Sequence, residues 1–492
     1  MTVVTRACIN QNILIHQHNH TQGSVLDKTF NYNEFCMMID YWKLLLIDKY
    51  NVQRGNTMFI DFELINTYYY SLIFAAAELG IIMIIDWPHC WKEEDLLDHK
   101  VTMYGTVDLV VTQKEKFNNP GRHWDVQRNL KYAKNIIFQD EFDEYSVKDS
   151  AIFPGIDQLV WAREDDAFCY TCSSGTTGLA KRIENDHKKI YDMATNMVKH
   201  LEFDPNARVL HTRNMHHGAS LCYHFLPGFI AGGEQFTYTL TDHTDEAVAK
   251  IVAFTQLHKL NQLFLYIPEF LLSFLKQIDP VQHPVRISTL FQITLEVAHL
   301  VKEKNIQRAF SPFGDSNIAA GIFVKKVDKN TDLTNYEVGD MGPPITELFD
   351  CEVRADSMLY VRCQKWNQDW RSSGDLFEVR NGNFVFMGRA NNYRINMQWI
   401  QQATVEKLVR DLFGFNKAHI VIDPEMQKVY AAIWEHNPEA EQALHQYFED
   451  NFEELKIAYV IKNEKFEHFW NSRKIDYSKI RDYCRSKLGI KL

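Results

Sequence analysis

No apolar run in these 492 residues is long enough to cross a bilayer. The most apolar stretch, 71–85, carries Glu78 and Gly80. It reads as a helix through Leu79, a glycine stop and a buried strand over 81–85. The N-terminus lacks a basic segment leading into an apolar one, so no secretory signal is read. Positive charge is also short. Lys and Arg number 53 against 64 Asp and Glu, and the formal net charge of −11 argues against a phosphate-neutralising nucleic-acid surface. A small anion in a local basic pocket remains compatible with it. The nine cysteines have no regular spacing and are expected as reduced thiols in a soluble, cytoplasmic protein. Cys169 and Cys172 form a C-x-x-C without a second pair, so neither zinc nor redox use is read there. His16, His18 and His20 alternate without acidic or cysteine partners, and read as a solvated or strand-facing row. The Lys-x-Asp-Gly of nucleic-acid ligases and the Gly-x-Ser-x-Gly of α/β-hydrolases are absent as well.

The length calls for two or more domains. A helical pattern through Leu46, a strand at 58–60, the helix and strand of 71–85 and a strand at 109–112 alternate along the first part. Such alternation predicts an α/β fold with a largely parallel sheet and helices on both faces. Asp186 is a candidate cap for a helix through His200. Strands are predicted at 209–214 and 263–268, the latter feeding an amphipathic helix. Asn381-Gly382-Asn383 signals a hairpin. From 391 onward a small α/β domain is predicted, with helices at 405–413 and 439–452 and strands at 418–422 and 429–434.

Within this frame stands one dense cluster. Ser173, Ser174, Gly175, Thr176, Thr177 and Gly178 follow Thr171, and Lys181 closes the stretch. Hydroxyls compete for backbone hydrogen bonds and glycine costs chain entropy, so neither helix nor strand suits it. It reads either as a loop whose amides and hydroxyls hold a phosphate chain or as an unliganded surface turn. The common P-loop is excluded, because only two residues separate Gly175 from Gly178 and Lys181 is not followed by Ser or Thr.

The cluster resembles the phosphate loop of the adenylate-forming superfamily, which comprises acyl-CoA and aryl-CoA synthetases, peptide-synthetase adenylation domains and luciferases. Ala180 stands where that signature has proline and Arg182 where it has its last glycine. Further resemblances follow in the family's order over nearly the whole chain. Phe313-Gly314-Asp315-Ser316-Asn317 is similar to its Tyr-Gly-x-Thr-Glu, Ser373-Gly374-Asp375 to its Thr-Gly-Asp, Gly388-Arg389 to its Gly-Arg, and Lys474-Ile475-Asp476 to its terminal Lys-Ile-Asp. Met215 to Gly218 is similar to the segment whose aromatic or histidine faces the acyl pocket, with His217 as the candidate.

The resemblance implies a large N-terminal domain, 1–389, of mostly parallel sheets flanked by helices, holding ATP and the acyl group. A small mobile C-terminal α+β domain, 390–492, would carry the catalytic lysine. It implies ATP-dependent activation of a carboxylic acid as acyl-adenylate, with Mg²⁺, and transfer to a thiol of CoA or a carrier protein's phosphopantetheine. Thr171, the 173–178 cluster and Lys181 would hold the phosphates; Phe313, Gly314 and Ser316 would serve adenine and its surroundings. Asp375 and Arg389 would hold the ribose, Thr176 and Asn317 the Mg²⁺, and Lys474 the reacting carboxylate and α-phosphate. The replacements Ala180, Asn317, Met397 and Arg473 leave a rival open, a nucleotide-binding relative with impaired catalysis. The pocket segment offers no aspartate for an α-amino group, which favours a non-amino acid substrate.

Overall fold

The computed structural model describes residues 3–18, 26–61, 66–85, 103–112, 133–138, 141–142, 155–172, 182–212, 218–238, 244–265, 268–315, 319–337, 339–366, 368–389, 392–395, 398–414, 418–423, 426, 428–433, 437–451, 457–462, 470–471, 474–475 and 477–489. By contact the chain divides into two compact units, Met1–Ser173 with Lys181–Tyr336, and Ser174–Ala180 with Glu337–Leu492.

Among the described residues the first unit holds two sheets. Its elements begin with β1 (Leu14–His18), β2 (Leu26–Asn31), α1 (Tyr32–Leu44), β3 (Thr57–Asp61), α2 (Thr67–Glu78) and β4 (Ile82–Ile85). β5 (Val107–Thr112), β6 (Ala133–Phe138), β7 (Ala167–Cys172), β8 (Arg182–Asp186) and α3 (His187–His200) follow. Then come β9 (Arg208–His211), α4 (Leu226–Ala231), β10 (Glu234–Thr237), α5 (Asp245–Leu257), β11 (Gln262–Phe264), α6 (Pro268–Gln277), β12 (Arg286–Ser288), α7 (Leu295–Glu303), β13 (Arg308–Asp315) and β14 (Ala319–Val327).

One sheet has the order β6-β5-β3-β4-β7-β8, parallel except for β8. The other runs β14-β13-β12-β11-β9-β10-β1-β2, with the antiparallel strands β14 and β2 at its edges. Its core joins Leu210 and Leu263 to Ile251, Phe254, Phe274 and Val297 on the covering helices. The expected parallel α/β architecture is present.

Local chemistry explains where several elements begin and end. Asn31 accepts from the Glu34 amide while Glu34 reaches back to the Asn31 amide, a reciprocal cap on α1. Asp186 accepts from the Lys189 amide at 2.7 Å and starts α3, as its sequence position predicts. Gly80, at φ 65°, stops the chain after α2 and turns it into β4. Glu78 is fully buried but not isolated: Lys43 donates to it at 2.8 Å, and Arg6 reaches both Glu78 and Asp40. Burial alone would raise its carboxyl pKa, yet the hydrogen bond and charge of Arg6, with Lys43, hold it below the usual range.

The second unit begins with the antiparallel sheet β15 (Phe349–Val353), β16 (Met358–Cys363), β17 (Arg371–Arg380) and β18 (Asn383–Arg389). β19 (Asn392–Ile395) and β20 (Gln398–Gln401) form a hairpin before α8 (Gln402–Phe413). β21 (Ala418–Asp423), β22 (Lys428–Ile433) and β23 (Ile457–Lys462) make a mixed sheet, with α9 (Pro438–Asn451) between the last two. β24 (Trp470–Asn471), β25 (Lys474–Ile475) and α10 (Tyr477–Lys487) end it. Val405, Val409, Leu444 and Phe448 pack with Ile420, Val429 and Ala431 into its own core. Asn381 and Gly382 both have positive φ, the backbone a tight two-residue hairpin needs. Among the described residues no helix is long and apolar enough to cross a membrane.

Candidate functional site

Two of the described stretches that carry predicted site residues lie in the first unit, at the ends of β7 and β13. Thr171 lies near the end of β7, and Cys172 pairs with Arg182 of β8. Residues 173–181 therefore link two antiparallel strands, whereas a P-loop links a strand to a helix. The Thr171 hydroxyl accepts from Asn185 Nδ2 at 3.2 Å, leaving its proton for another acceptor. A Cβ at Gly218 would stand 3.2 Å from Thr171 Cγ2, so glycine lets the backbone come close there. Arg182 lays its guanidinium over the Tyr170 ring at 4.5 Å. Ser173, Ser174, Gly175, Thr176, Thr177, Gly178, Ala180 and Lys181 lie outside the described residues.

Phe313 and Gly314 sit near the end of β13, with Phe313 opposite Phe323 of β14 and the two ring centroids 6.0 Å apart. His217, Ser316 and Asn317 lie outside the described residues, as do Asn391, Met397 and Arg473.

In the second unit the geometry is more specific. Against β16, Tyr360 pairs with Ser372 and Met358 with Leu376, so residues 373–375 bulge out of the ladder. Gly374 takes φ 72°, and Ser373 donates to the Leu359 carbonyl at 3.2 Å while accepting from the Asp375 amide at 3.1 Å. Bulges re-aim side chains, and this one fixes Asp375, which is 1% exposed. Across β17 and β18 the register partner of Asp375 is Arg389. The hairpin thus brings together the two residues that sequence paired over 13 intervening positions. Lys474 is on the return strand of a short hairpin, opposite Asn471; its side chain is outside the described residues.

Sequence reasoning missed a polar cluster in the first unit. Tyr70 of α2, His211 of β9, and His224 of the π-helical turn Leu221–Phe225 meet in the interior. The rings of Tyr70 and His211 are 5.4 Å apart, and those of His211 and His224 are 4.9 Å apart. Burial, relieved only partly by the Gln235 hydrogen bond, lowers the His211 pKa to about 4. Burial, together with His211, pushes His224 well below its ordinary value. Both rings are neutral near pH 7. The π turn is the one local irregularity marking the place, and no residue pattern in the sequence encodes it.

Residues 73–293 match the family described as AMP-binding enzyme. No curated protein matches the chain. The chain is similar to O-succinylbenzoate coenzyme A synthetase from Bacillus subtilis solved with AMP, at 15% identity, 97% coverage of each chain and a TM-score of 0.72. It is similar to the McyG A-PCP structure complexed with phenylalanyl-adenylate, at 14% identity, covering 99% of this chain and 96% of that one, with a TM-score of 0.72. A Mycobacterium tuberculosis fatty acyl CoA synthetase gives 14% identity, 98% and 97% coverage and a TM-score of 0.68. At such identities the likeness is one of fold, and it spans nearly the whole chain. The protein has the adenylate-forming fold.

Proposed function

We propose that this chain uses ATP to activate a carboxylic acid, joining the carboxylate oxygen to the α-phosphorus as acyl-adenylate and releasing pyrophosphate. The acyl group then passes to a thiol of CoA or a carrier protein's pantetheine, with AMP leaving. The observation that carries the reading is the bulge that buries Asp375 opposite Arg389. A buried carboxylate accepts from both ribose hydroxyls, and the Arg389 guanidinium would offer planar donors to a nearby phosphate or carboxylate.

The remaining roles are assigned to this chain's own groups. Thr171 and residues 173–178 donate to the β- and γ-phosphates, and Lys181 neutralises part of their charge. Phe313 stacks on adenine, Gly314 admits it closely, and Ser316 hydrogen-bonds beside it. His217 faces the acid. Lys474 steadies the charge where carboxylate and α-phosphate meet. Mg²⁺ takes oxygen ligands and keeps substrate phosphates and waters in its shell, so a Thr176 hydroxyl and an Asn317 amide oxygen suit a nucleotide-borne ion. Functionally we divide the chain at 389/390, so that 390–492 brings Lys474 for adenylation and withdraws it for thiol transfer.

Lys474→Ala tests the assignment. Pyrophosphate release should fall at least about 100-fold while ATP affinity stays within about 3-fold, because the lysine acts on charge developed in the transition state. Unimpaired release from the variant removes Lys474 from the mechanism.

A further inference from the structure

The cavity beside the missed cluster stands at a particular place in the first unit's larger sheet. β9 lies between β10 and β11. The chain leaves β9 toward β10 on one side, and leaves β11 toward β12 on the other. Adjacent parallel strands whose connections diverge open a crevice at their carboxyl ends, where α/β folds bind ligands. The residues there are His211 at the end of β9, Thr212 just after it, and Phe264 at the end of β11. With Tyr70, Ser220, His224 and Phe225 they wall a cavity of about 20 Å³. That space admits one group of about the size of a water molecule. Ser220 is half-buried, whereas Tyr70 and His224 are 1% and 4% exposed.

The hydrogen-bonding state of the wall follows from its neighbours. His224 Nε2 lies 2.7 Å from the Leu210 carbonyl, which can only accept, so Nε2 carries the proton. In the neutral ring Nδ1 then holds a lone pair, and among the described residues it has no partner. Gln235 gives its amide protons to the Gly228 and Gly232 carbonyls, which turns its oxygen toward His211 Nε2 at 2.9 Å. His211 is therefore also the tautomer with a proton on Nε2. The Tyr70 hydroxyl is buried with no partner among the described residues. A buried polar atom left unsatisfied is destabilising, and a partner that satisfies it is favoured.

The cavity thus presents an imidazole acceptor and a phenol that both donates and accepts. A group that donates and accepts at once completes it, as a hydroxyl does. A carboxylate has no proton for the imidazole, and among the described residues no lysine or arginine lines the wall to balance its charge. An ammonium meets no carboxylate among the described lining residues. Extending the proposed function and resting on it, we propose that the cavity walled by Tyr70, His211 and His224 receives a hydroxyl group of the acid substrate. The chain would then select small hydroxylated acids over their deoxy counterparts.

The test uses the intact wild-type chain and acids matched except for one hydroxyl: positional hydroxybutyrates against butyrate, and ring-hydroxylated benzoates against benzoate. Binding is measured by calorimetry with ATP and Mg²⁺, and acid-dependent ATP–pyrophosphate exchange is run in parallel. At least one hydroxy isomer should bind roughly 10- to 100-fold tighter than its deoxy twin. Its methyl ether should lose that gain. Tyr70→Phe should reduce the ratio to within about 3-fold. Equal binding of every pair, no binding of any acid, or a ratio that survives Tyr70→Phe overturns the proposal. Selective binding without exchange keeps the cavity's role and overturns adenylation; exchange without selectivity does the reverse.

Discussion

Asp375 shows what a single residue requires of its surroundings. Its burial opposite Arg389 depends on the Ser373 hydroxyl and on the positive φ of Gly374. Asp375→Ala should weaken ATP binding by roughly 10- to 100-fold in titration, the loss expected for hydrogen bonds to a charged acceptor. An unchanged affinity contradicts the ribose assignment. Buried histidines give a second prediction at this scale. Burial lowers His187, His211 and His419 to about 4. Below the ordinary histidine pKa near 6.5 the unfolded chain binds protons that the folded chain refuses, so stability falls as pH drops from about 6.5 to 4. Thermal unfolding midpoints should fall over that window. Replacing His211 with Gln should flatten part of the slope, and a slope equal to wild type would show the ring is charged in the fold. The pairing of Asp375 with Arg389 was readable from sequence because family order linked them. The meeting of Tyr70, His211 and His224 was not, since it depends on long-range packing of α2, β9 and a π turn.

Elements with local signals were readable near their described bounds. Asp186 starts α3, Gly80 ends α2, and Asn381-Gly382 joins β17 to β18. Each depends on a cap or a backbone angle that a few adjacent residues determine. β2 was not foreseen, because a strand on the edge of a sheet is defined by its partner β1 and not by a strong pattern of its own. The bulge at 373–375 was equally hidden, although its residues were singled out. Gly374 has open space where a Cβ would stand, so Gly374→Ala meets only the cost of a positive φ. We expect a loss of about 1–2 kcal/mol in denaturant titration. ATP affinity should fall together with it as Asp375 is re-aimed. Full affinity in the variant would mean that the bulge does not aim the carboxylate.

At the scale of the whole molecule, alternation of strands and helices implied the class of fold, and the likeness to solved structures covers nearly the entire chain. The contact division at Tyr336/Glu337 groups the β15–β18 sheet with the C-terminal elements. The boundary read from sequence, 389/390, follows motif order, and the proposed function uses it as the point beyond which the chain brings Lys474. Packing and chemistry need not divide a chain at one point. The central claim is that this fold retains turnover despite Ala180, Asn317, Met397 and Arg473. The most direct test incubates the protein with ATP, Mg²⁺, hydroxylamine and a broad panel of acids, and measures pyrophosphate and hydroxamate. Stoichiometric release of both with at least one acid is the predicted result. Measurable ATP binding with neither product across the panel contradicts the account and leaves a nucleotide-binding relative without adenylation.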